Sequence, residues 1–162
     1  MARGFTLVEL MIVVAVVGVL AAIGFPAVKD MLVAGAVRSS SSEFYGSLLA
    51  ARSEAIKQRT NAVIAPIGST WNTGWTVKVG ATIFQQRDAL RPDVTIQVNV
   101  PASGTTSSIT YGYNGRVSAG NQTVIFYSTS STRTDARCVS VDTSGLPRLR
   151  TDTNKVPTDG CN

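Results

Sequence analysis

The stretch Gly4-Phe5-Thr6-Leu7-Val8-Glu9, followed by an apolar run over residues 10–28, decides the architecture of this 162-residue chain. The run holds about 19 residues without a charge, enough for a helix to span a hydrocarbon core of roughly 30 Å. Glu9 stands at its edge, and a carboxylate at membrane depth is costly and usually has a specific partner. We expect an apolar helix whose one acid either pairs with a cation or faces the lipid headgroups.

The order of leader and apolar run differs from an ordinary secretory signal, in which the apolar core precedes the cleavage site and is lost with it. The start of the chain resembles the class III leader of type IV pilins and pseudopilins, through Gly4, Phe5, Thr6, Leu7 and Glu9. This resemblance implies a prepilin peptidase that removes residues 1–4 by cutting between Gly4 and Phe5, and N-methylates Phe5. Residues 5–28 would remain as a single-pass helix in the inner membrane and later as a helix in the filament core.

Two residues of this helix receive specific roles from the same resemblance. In pilins, an acid at the position of Glu9 pairs with the N-terminal amine of a neighbouring subunit, which here would be the amine of Phe5. Pro26 lacks a backbone donor and clashes with the preceding turn, so it kinks or loosens a helix. The resemblance implies partial melting of the helix around Pro26 inside the filament.

Residues 29–60 are predicted to continue the helix in amphipathic form. Apolar side chains recur at steps of three to five residues, which predicts one buried stripe: Val33, Val37, Phe44, Leu48, Ala51 and Ile56. Glu54 and Lys57 are spaced to pair across one turn. The four serines at 39–42 favour helix poorly and are expected to form a weakened, exposed turn.

Residues 61–162 are predicted to form a β-rich globular domain, because the pattern changes from helical to alternating after Thr60. The predicted strands are Ala62–Pro66, Trp75–Val79, 94–100, 108–111, 123–127 and 137–141. Asn114-Gly115 is a two-residue hairpin signal. A long helix whose second part lies on an antiparallel sheet is an α+β architecture, and with the leader it predicts the type IV pilin fold.

Five parts of the chain carry a narrower resemblance: residues 50–57, Trp71, 74–77, 113–117 and 141–150. They resemble one branch of the pilin-like proteins, the FimT/FimU-type minor pilins and the related H-type pseudopilins of type II secretion, known as the GspH family. The resemblance implies a low-abundance subunit that helps to start pilus assembly near the filament tip, with other major and minor pilins as partners. A major pilin and a pseudopilin of a type II secretion system are the competing interpretations.

Cys138 and Cys161 lie in the part expected outside the cytoplasm, where an even number of cysteines favours a disulfide. Closing this loop would tie the tail to the last predicted strand. The sequence contains two cysteines and no histidine, too few soft ligands for a metal site. The absence of histidine also excludes a histidine-based triad or relay, so we expect neither an enzyme nor a cofactor.

DNA binding for natural transformation is the second functional hypothesis. The chain carries a formal net charge of +5, and some FimT-type pilins take up DNA through a Gly-Arg-x-Arg motif near the C-terminus. Arg148 and Arg150 keep the Arg-x-Arg spacing, although Leu146-Pro147 separates them from Gly145. Arg116 and Lys155 complete the candidate set. The alternative is that these side chains are solvated or contact the next pilin.

Overall fold

The computed structural model describes residues 5–99, 108–118, 120–154 and 161. One α-helix, α1, extends over Leu7–Gln58 and joins the two helical segments predicted from the sequence. Thr6 caps its N-terminus, and Arg59 ends it in a left-handed conformation with φ of 51°. We call residues 7–28 the lower segment of α1 and residues 29–58 the upper segment.

The two segments have different surroundings. Every described side chain of the lower segment is exposed, whereas one face of the upper segment is buried. That face contains five residues of the predicted stripe, namely Val33, Val37, Phe44, Leu48 and Ala51. The ion pair between Lys57 Nζ and Glu54 Oε1 has formed at 3.2 Å.

Two details predicted for the upper segment are wrong. Ile56 is 48% exposed, and Ala55 is buried in its place. The serine turn is not exposed throughout, because Ser40 and Ser41 are buried against the domain. Ser41 Oγ donates to the carbonyl oxygen of Arg38 at 2.9 Å, which satisfies the buried hydroxyl within the helix.

In the described residues, eight strands follow the helix and form two antiparallel sheets. The strands are β1 Ala62–Pro66, β2 Trp75–Val79, β3 Thr82–Arg87, β4 Thr95–Asn99, β5 Ile109–Tyr111, β6 Gln122–Tyr127, β7 Ala136–Val141 and β8 Pro147–Asp152. The first sheet has the order β3-β2-β1-β5, and the second has the order β4-β6-β7-β8. A 3₁₀ turn, Trp71–Thr73, precedes β2.

The core lies where α1 meets the two sheets. Phe44 is fully buried there and makes edge-on contacts with Trp71 and Trp75, at ring-centroid distances of 5.5 and 5.1 Å. Phe126 from the second sheet completes the group at 5.6 Å. Trp75 Nε1 donates to Ser47 Oγ at 3.0 Å, which gives the indole nitrogen a partner on the helix. One aromatic side chain of α1 therefore connects the two sheets.

The six strands predicted from the sequence are present, two with the predicted ends and four with ends that differ by one residue. Residue 100, the predicted end of the 94–100 strand, lies outside the described residues. Two further strands, β3 and β8, were not predicted as such. Asn114-Gly115 forms a tight turn, with Gly115 N donating to Gly112 O at 2.8 Å. The arm after it contributes the single bridge between Tyr111 and Val117 rather than a full strand.

Candidate functional site

The N-terminus of α1 closes on itself through Thr6 and Glu9. The Thr6 backbone N–H and hydroxyl both donate to Glu9 Oε2 at 2.9 Å, and Glu9 N donates to Thr6 Oγ1 at 3.3 Å. This reciprocal arrangement is a capping box. The Thr-x-x-Glu pattern signals it in the sequence, and our sequence analysis missed it. In the single chain, the carboxylate that was predicted to pair with a neighbour's amine is held by its own helix start.

The other residues predicted to act in processing and assembly lie along the same segment. Phe5 is 81% exposed, while Gly4 lies outside the described residues. The helix continues through Pro26. The predicted melting around Pro26 concerns the assembled filament, so it stays a prediction.

The lower segment provides the longest apolar surface of the described chain. The best 18-residue window of α1 has a mean hydropathy of 2.7, and none of that window is buried against the domain. By length and composition it can cross a membrane. Phe25, 80% exposed, and Val28 lie on this surface, and the next charged residues after Glu9, Lys29 and Asp30, follow at once.

Asp30 marks the point where the globular domain begins to contact α1. Its carboxylate accepts a hydrogen bond from Ser131 Oγ at 2.7 Å and lies 3.6 Å from Arg133 Nη1. Both partners belong to the connection between β6 and β7. This connection therefore lies beside the end of the apolar surface.

The predicted disulfide between Cys138 and Cys161 is present, with a Cα–Cα distance of 6.2 Å. Cys138 lies on β7 and packs with Ile125 and Ala136, separately from the main core, with Tyr127 and Cys161 at the margin. The bond therefore holds the end of the chain over the second sheet, where Ile125 is fully buried.

Two glycine turns cross at the end of the domain away from the lower segment. A Cβ built on Gly145, whose φ is +79°, would lie 2.0 Å from Gly115 O, so no other residue fits there without a shift of the backbone. Arg52 Nε of α1 donates to the same carbonyl oxygen at 3.1 Å. Tyr111 packs beneath the crossing, and burial raises the pKa of its phenol. This junction fixes the turns that carry Arg116 and precede Arg148.

The candidate arginines lie near this junction. Arg148 and Arg150 are alternate residues of β8 and both are exposed, as is Arg116. Arg148 Nη2 lies 3.9 Å from Asp142 Oδ2. Hydrogen bonds from Ser144, followed by weaker attraction to Arg148 and Arg116, lower the pKa of Asp142. Lys155 lies outside the described residues.

A polar groove of about 220 Å³ adjoins Arg148 and Arg150. Its walls include Thr123, Ser140 and Gln122, and Gln122 is buried with its Nε2 unpartnered among the described residues. The arrangement presents guanidinium and hydroxyl donors side by side, which is chemistry suited to an anionic group. In the part of the chain that the structure describes, no group of three His, Cys, Asp or Glu residues is placed to hold a metal ion.

The long helix, apolar and exposed at its start and packed on antiparallel sheets at its end, defines a type IV pilin-like protein. The family described as type II transport protein GspH matches residues 40–145, and the prokaryotic N-terminal methylation motif matches residues 1–25. The chain belongs to the GspH family, and it is a minor pilin or pseudopilin of the type IV pilus or type II secretion class.

Solved structures share the fold. The type IV minor pilin FimU of Pseudomonas aeruginosa is 21% identical with a TM-score of 0.59, covering 74% of this chain and 90% of that one. The minor pseudopilin EpsH of the Vibrio cholerae type 2 secretion system is 14% identical with a TM-score of 0.55, covering 71% and 96%. Among proteins with curated descriptions, none matches this sequence. The predicted α+β pilin fold is thereby confirmed.

Proposed function

We propose that this chain is a minor subunit of a type IV pilus that helps to start assembly near the filament tip. The observation that carries the proposal is the lower segment of α1, apolar and exposed on all its described faces yet continuous with the packed upper segment. Such a surface needs an apolar environment. The inner membrane supplies it before assembly, and the helices of other major and minor pilins supply it afterwards.

The boundaries of the processed subunit follow from the same features. A prepilin peptidase would remove residues 1–4 and methylate Phe5, in agreement with the methylation motif over residues 1–25. Residues 5–28 would occupy the membrane. Lys29 and Asp30 would lie at its surface, because Asp30 already binds the β6–β7 connection of the globular domain. Residues 29–60 and 61–162 would be presented outside the cytoplasm.

The role of Glu9 can be tested because its two functions have different requirements. A glutamine still accepts the hydrogen bonds of the capping box, but it has no charge to offer a neighbour's amine. We expect Glu9→Gln and Glu9→Leu to insert into the membrane normally and to be lost from sheared pili. Val8→Leu, one position away, provides a matched control that should be incorporated.

Recovery of the Glu9→Gln variant at the wild-type level would mean that Glu9 serves only its own helix. Absence of the wild-type chain from sheared pili would instead remove the pilus assignment. Loss of folded-enzyme export on deletion, with piliation and twitching intact, would move the chain to a type II secretion pseudopilus. These three results distinguish the role of Glu9 from the question of whether the chain serves a pilus or a type II secretion pseudopilus.

DNA capture is a second candidate function, favoured by the exposed pair on β8. Arg148 and Arg150 share one face of an edge strand and adjoin a groove lined by hydroxyl groups. Arg116 is close enough to the Asp142 carboxylate to contribute, like Arg148, to the lowering of its pKa. Guanidinium groups fixed in this way can bind backbone phosphates. The affinity falls as the salt concentration rises, because the release of DNA counterions on binding is then less favourable. The ion pair between Arg148 and Asp142 opposes this function.

The test is a titration of the chain from Lys29 onward against labelled duplex DNA at two salt concentrations. The fragment keeps the core, because every hydrophobic residue that is buried in the described part of the chain lies at or after Val33. We expect salt-sensitive binding that Arg148→Ala/Arg150→Ala abolishes. Arg38→Ala/Lys78→Ala removes the same charge elsewhere and should leave binding largely intact. Equal loss from both pairs would show a nonspecific charge effect, and unchanged binding by the β8 variant would exclude the site.

A further inference from the structure

The connection between β6 and β7, residues 128–135, lies at the end of the globular domain that is nearest to the lower segment of α1. Ser131 contacts Asp30 at the beginning of the upper segment, whereas Gly115 contacts Arg52 near its end. The rise of the helix between Asp30 and Arg52 is about 33 Å. The domain therefore has a lower end at this connection and a distal end at the glycine crossing.

The depth of the connection relative to a bilayer follows from the length of the lower segment. At 1.5 Å per residue, that segment is about 33 Å long, close to the roughly 30 Å of a hydrocarbon core. Asp30 lies only about 3 Å beyond Val28 along the helix axis. The headgroup region on each side of a bilayer is about 5–7 Å thick. If the lower segment spans the membrane, a connection that contacts Asp30 therefore lies at the depth of the headgroups.

A pocket of about 430 Å³ opens in this connection. Tyr127 and Ala136 form its two ends in the sequence, and no charged side chain of the described residues lines it. The other lining residues all carry a hydroxyl group: Ser128, Thr129, Ser131, Thr132 and Thr134. Hydroxyl groups are neutral donors and can turn to suit a ligand that accepts hydrogen bonds.

Some of these hydroxyl groups are already used, and others are not. Ser131 is buried, and its hydroxyl donates to Asp30 at 2.7 Å. Thr134 Oγ1 donates in turn to Ser131 Oγ at 3.2 Å. Thr129 and Thr132 are exposed, and within the described residues their hydroxyl groups have no hydrogen-bond partner. The pocket therefore combines a base that is fixed to α1 with two unused donors.

Charges of both signs surround the pocket. Lys29 is exposed at the end of the apolar run, and the side chain of Arg133 is 79% exposed. Asp30 lies 3.6 Å from Arg133, and Asp135 is exposed at the end of the connection. Since these two cations and two acids nearly cancel, a ligand of this pocket has to be held chiefly by hydroxyl groups and only secondarily by net charge.

We propose that the pocket of the β6–β7 connection binds the phosphate group of a phospholipid in the membrane that holds α1. This inference rests on the proposed function, which places residues 5–28 in the bilayer. Thr129 and Thr132 donate to the phosphate oxygens, with Lys29 and Arg133 beside them, and hydrogen bonds to an ionised acceptor are the stronger kind. The bound headgroup holds the domain on the membrane before assembly and is released when the subunit enters the filament.

The depth of the pocket selects the phospholipid from among the ligands that hydroxyl groups can bind. A phosphate group is present on every phospholipid at this level of the bilayer, whereas a soluble anion is not concentrated there. Because the phosphate is common to zwitterionic and anionic lipids and the donors are neutral, binding should depend little on the net charge of the membrane. This separates the site from a general attraction of basic residues to anionic lipid, which salt screens.

The test uses the full chain in three environments. These are nanodiscs of phosphatidylcholine, nanodiscs of phosphatidylcholine with phosphatidylglycerol, and micelles of dodecyl maltoside, whose headgroup contains no phosphate. Amide hydrogen exchange read by mass spectrometry reports the order of residues 128–134. We expect this segment to exchange about tenfold more slowly in both nanodiscs than in micelles, the factor expected of one hydrogen bond to a charged group. The distal turn, residues 113–116, should exchange equally in all three.

A second measurement separates the hydroxyl donors from simple proximity to the membrane. Thr129→Val/Thr132→Val removes both hydroxyl groups and nearly conserves the shape of the side chains, so the slower exchange in nanodiscs should be lost. Thr82→Val/Thr143→Val makes the same change at two exposed threonines outside the connection and should keep it. Formation of the Cys138–Cys161 disulfide in each variant shows that the domain has folded.

Equal exchange of residues 128–134 in nanodiscs and micelles would overturn the proposal, and so would slow exchange that survives in Thr129→Val/Thr132→Val. Inorganic phosphate that slows exchange to the same extent in micelles would assign the pocket to a soluble anion. Slow exchange only with phosphatidylglycerol, lost at high salt, would show general charge attraction instead. A chain that does not enter nanodiscs would refute the membrane placement itself. Absence of a lipid-binding chain from pili would remove only the pilus assignment.

Discussion

Phe25 and Phe44 lie on the same uninterrupted helix, yet Phe25 is 80% exposed and Phe44 is completely buried. The lower segment of α1 is more apolar than the upper segment and has no partner among the described residues. The upper segment contains serines, glutamates and arginines, and its buried face contacts both sheets. Hydrophobicity alone therefore does not decide which part of this helix is packed within the monomer.

The difference shows that the two segments of α1 have different patterns of apolar side chains, which select different partners. In the upper segment, the spacing of apolar side chains selects one face for the domain. In the lower segment, apolar side chains surround the helix, which is the pattern of a helix that is buried on all sides. Its partners therefore have to come from outside the chain, and changes in the two segments should have separate effects.

The strongest test of this comparison is a matched pair of substitutions. Phe44→Ala removes the side chain that contacts Trp71, Trp75 and Phe126, and should lower the free energy of unfolding of the domain by about 3–5 kcal/mol. Phe25→Ala should leave that free energy unchanged. Chemical denaturation of the full chain in detergent, followed by tryptophan fluorescence, measures both. A comparable loss in Phe25→Ala would show that the lower segment supports the domain.

Removing the Cys138–Cys161 disulfide tests how much the C-terminal tail contributes to the stability of the globular domain. Removal of the cross-link with Cys138→Ser/Cys161→Ser should lower the free energy of unfolding by about 3 kcal/mol, since the closed loop spans a separation of 23 residues. The helicity of the lower segment in detergent should not change. Circular dichroism and denaturation under matched conditions would detect either effect. Unchanged stability would mean that the tail adds nothing to the second sheet.

Gly46, on the exposed face of the upper segment, should give a smaller effect of opposite sign: its replacement by alanine should raise the free energy of unfolding. A Cβ there meets nothing within 4 Å, so Gly46→Ala should stabilise the domain by about 0.5–1 kcal/mol through the lower entropy of the unfolded chain. Gly18→Ala in the lower segment also meets nothing within 4 Å and should leave unfolding of the domain unchanged. Thermal melts of the three proteins would compare them. Destabilisation by Gly46→Ala would indicate a contact that the monomer lacks.

The smallest expected effect on stability is electrostatic, and it comes from Asp142 in the globular domain. The pKa of Asp142 is lowered from its ordinary value of 3.8, chiefly by hydrogen bonds from Ser144. A carboxyl whose folded-state pKa is lowered adds stability above its unfolded pKa, and this is lost as pH falls through the folded value. We expect a slight advantage over Asp142→Asn that is constant near neutrality and disappears below about pH 4. An advantage that grows on acidification would contradict this sign.

Much of this architecture was predictable because its signals are local. The apolar run, the stripe from Val33 to Ala51 and six alternating strands each follow from the spacing of side chains along one element. The disulfide followed from the number of cysteines and the expected compartment. For the same reason, the local Thr-x-x-Glu pattern could have predicted the Thr6–Glu9 capping box, although we did not recognise it.

The features that could not be predicted from the sequence depend on contacts between residues that are distant in the chain. β3 has no alternation because both its faces are exposed, and β8 is obscured by Pro147 and its arginines. Ile56 fits the helical stripe as well as Ala55 does, but Ala55 packs in the main core, whereas Ile56 lies beside Gly115 of the 113–116 turn and stays 48% exposed. The crossing of Gly115 and Gly145 joins turns far apart in the chain, so no local pattern could indicate that Arg116 and Arg148 lie near one carboxylate.

The continuity of α1 also has a mechanical consequence. With 52 residues at 1.5 Å each, the helix is a rod about 78 Å long, and the domain is attached along its side. Tension applied through the lower segment is transmitted to strands of both sheets together, because the upper segment contacts β1, β2, β5, β6, β7 and β8. Such a load shears many contacts in parallel instead of peeling strands one after another. When it is pulled through the lower segment, the domain should therefore hold to a single high rupture force and then yield as one unit.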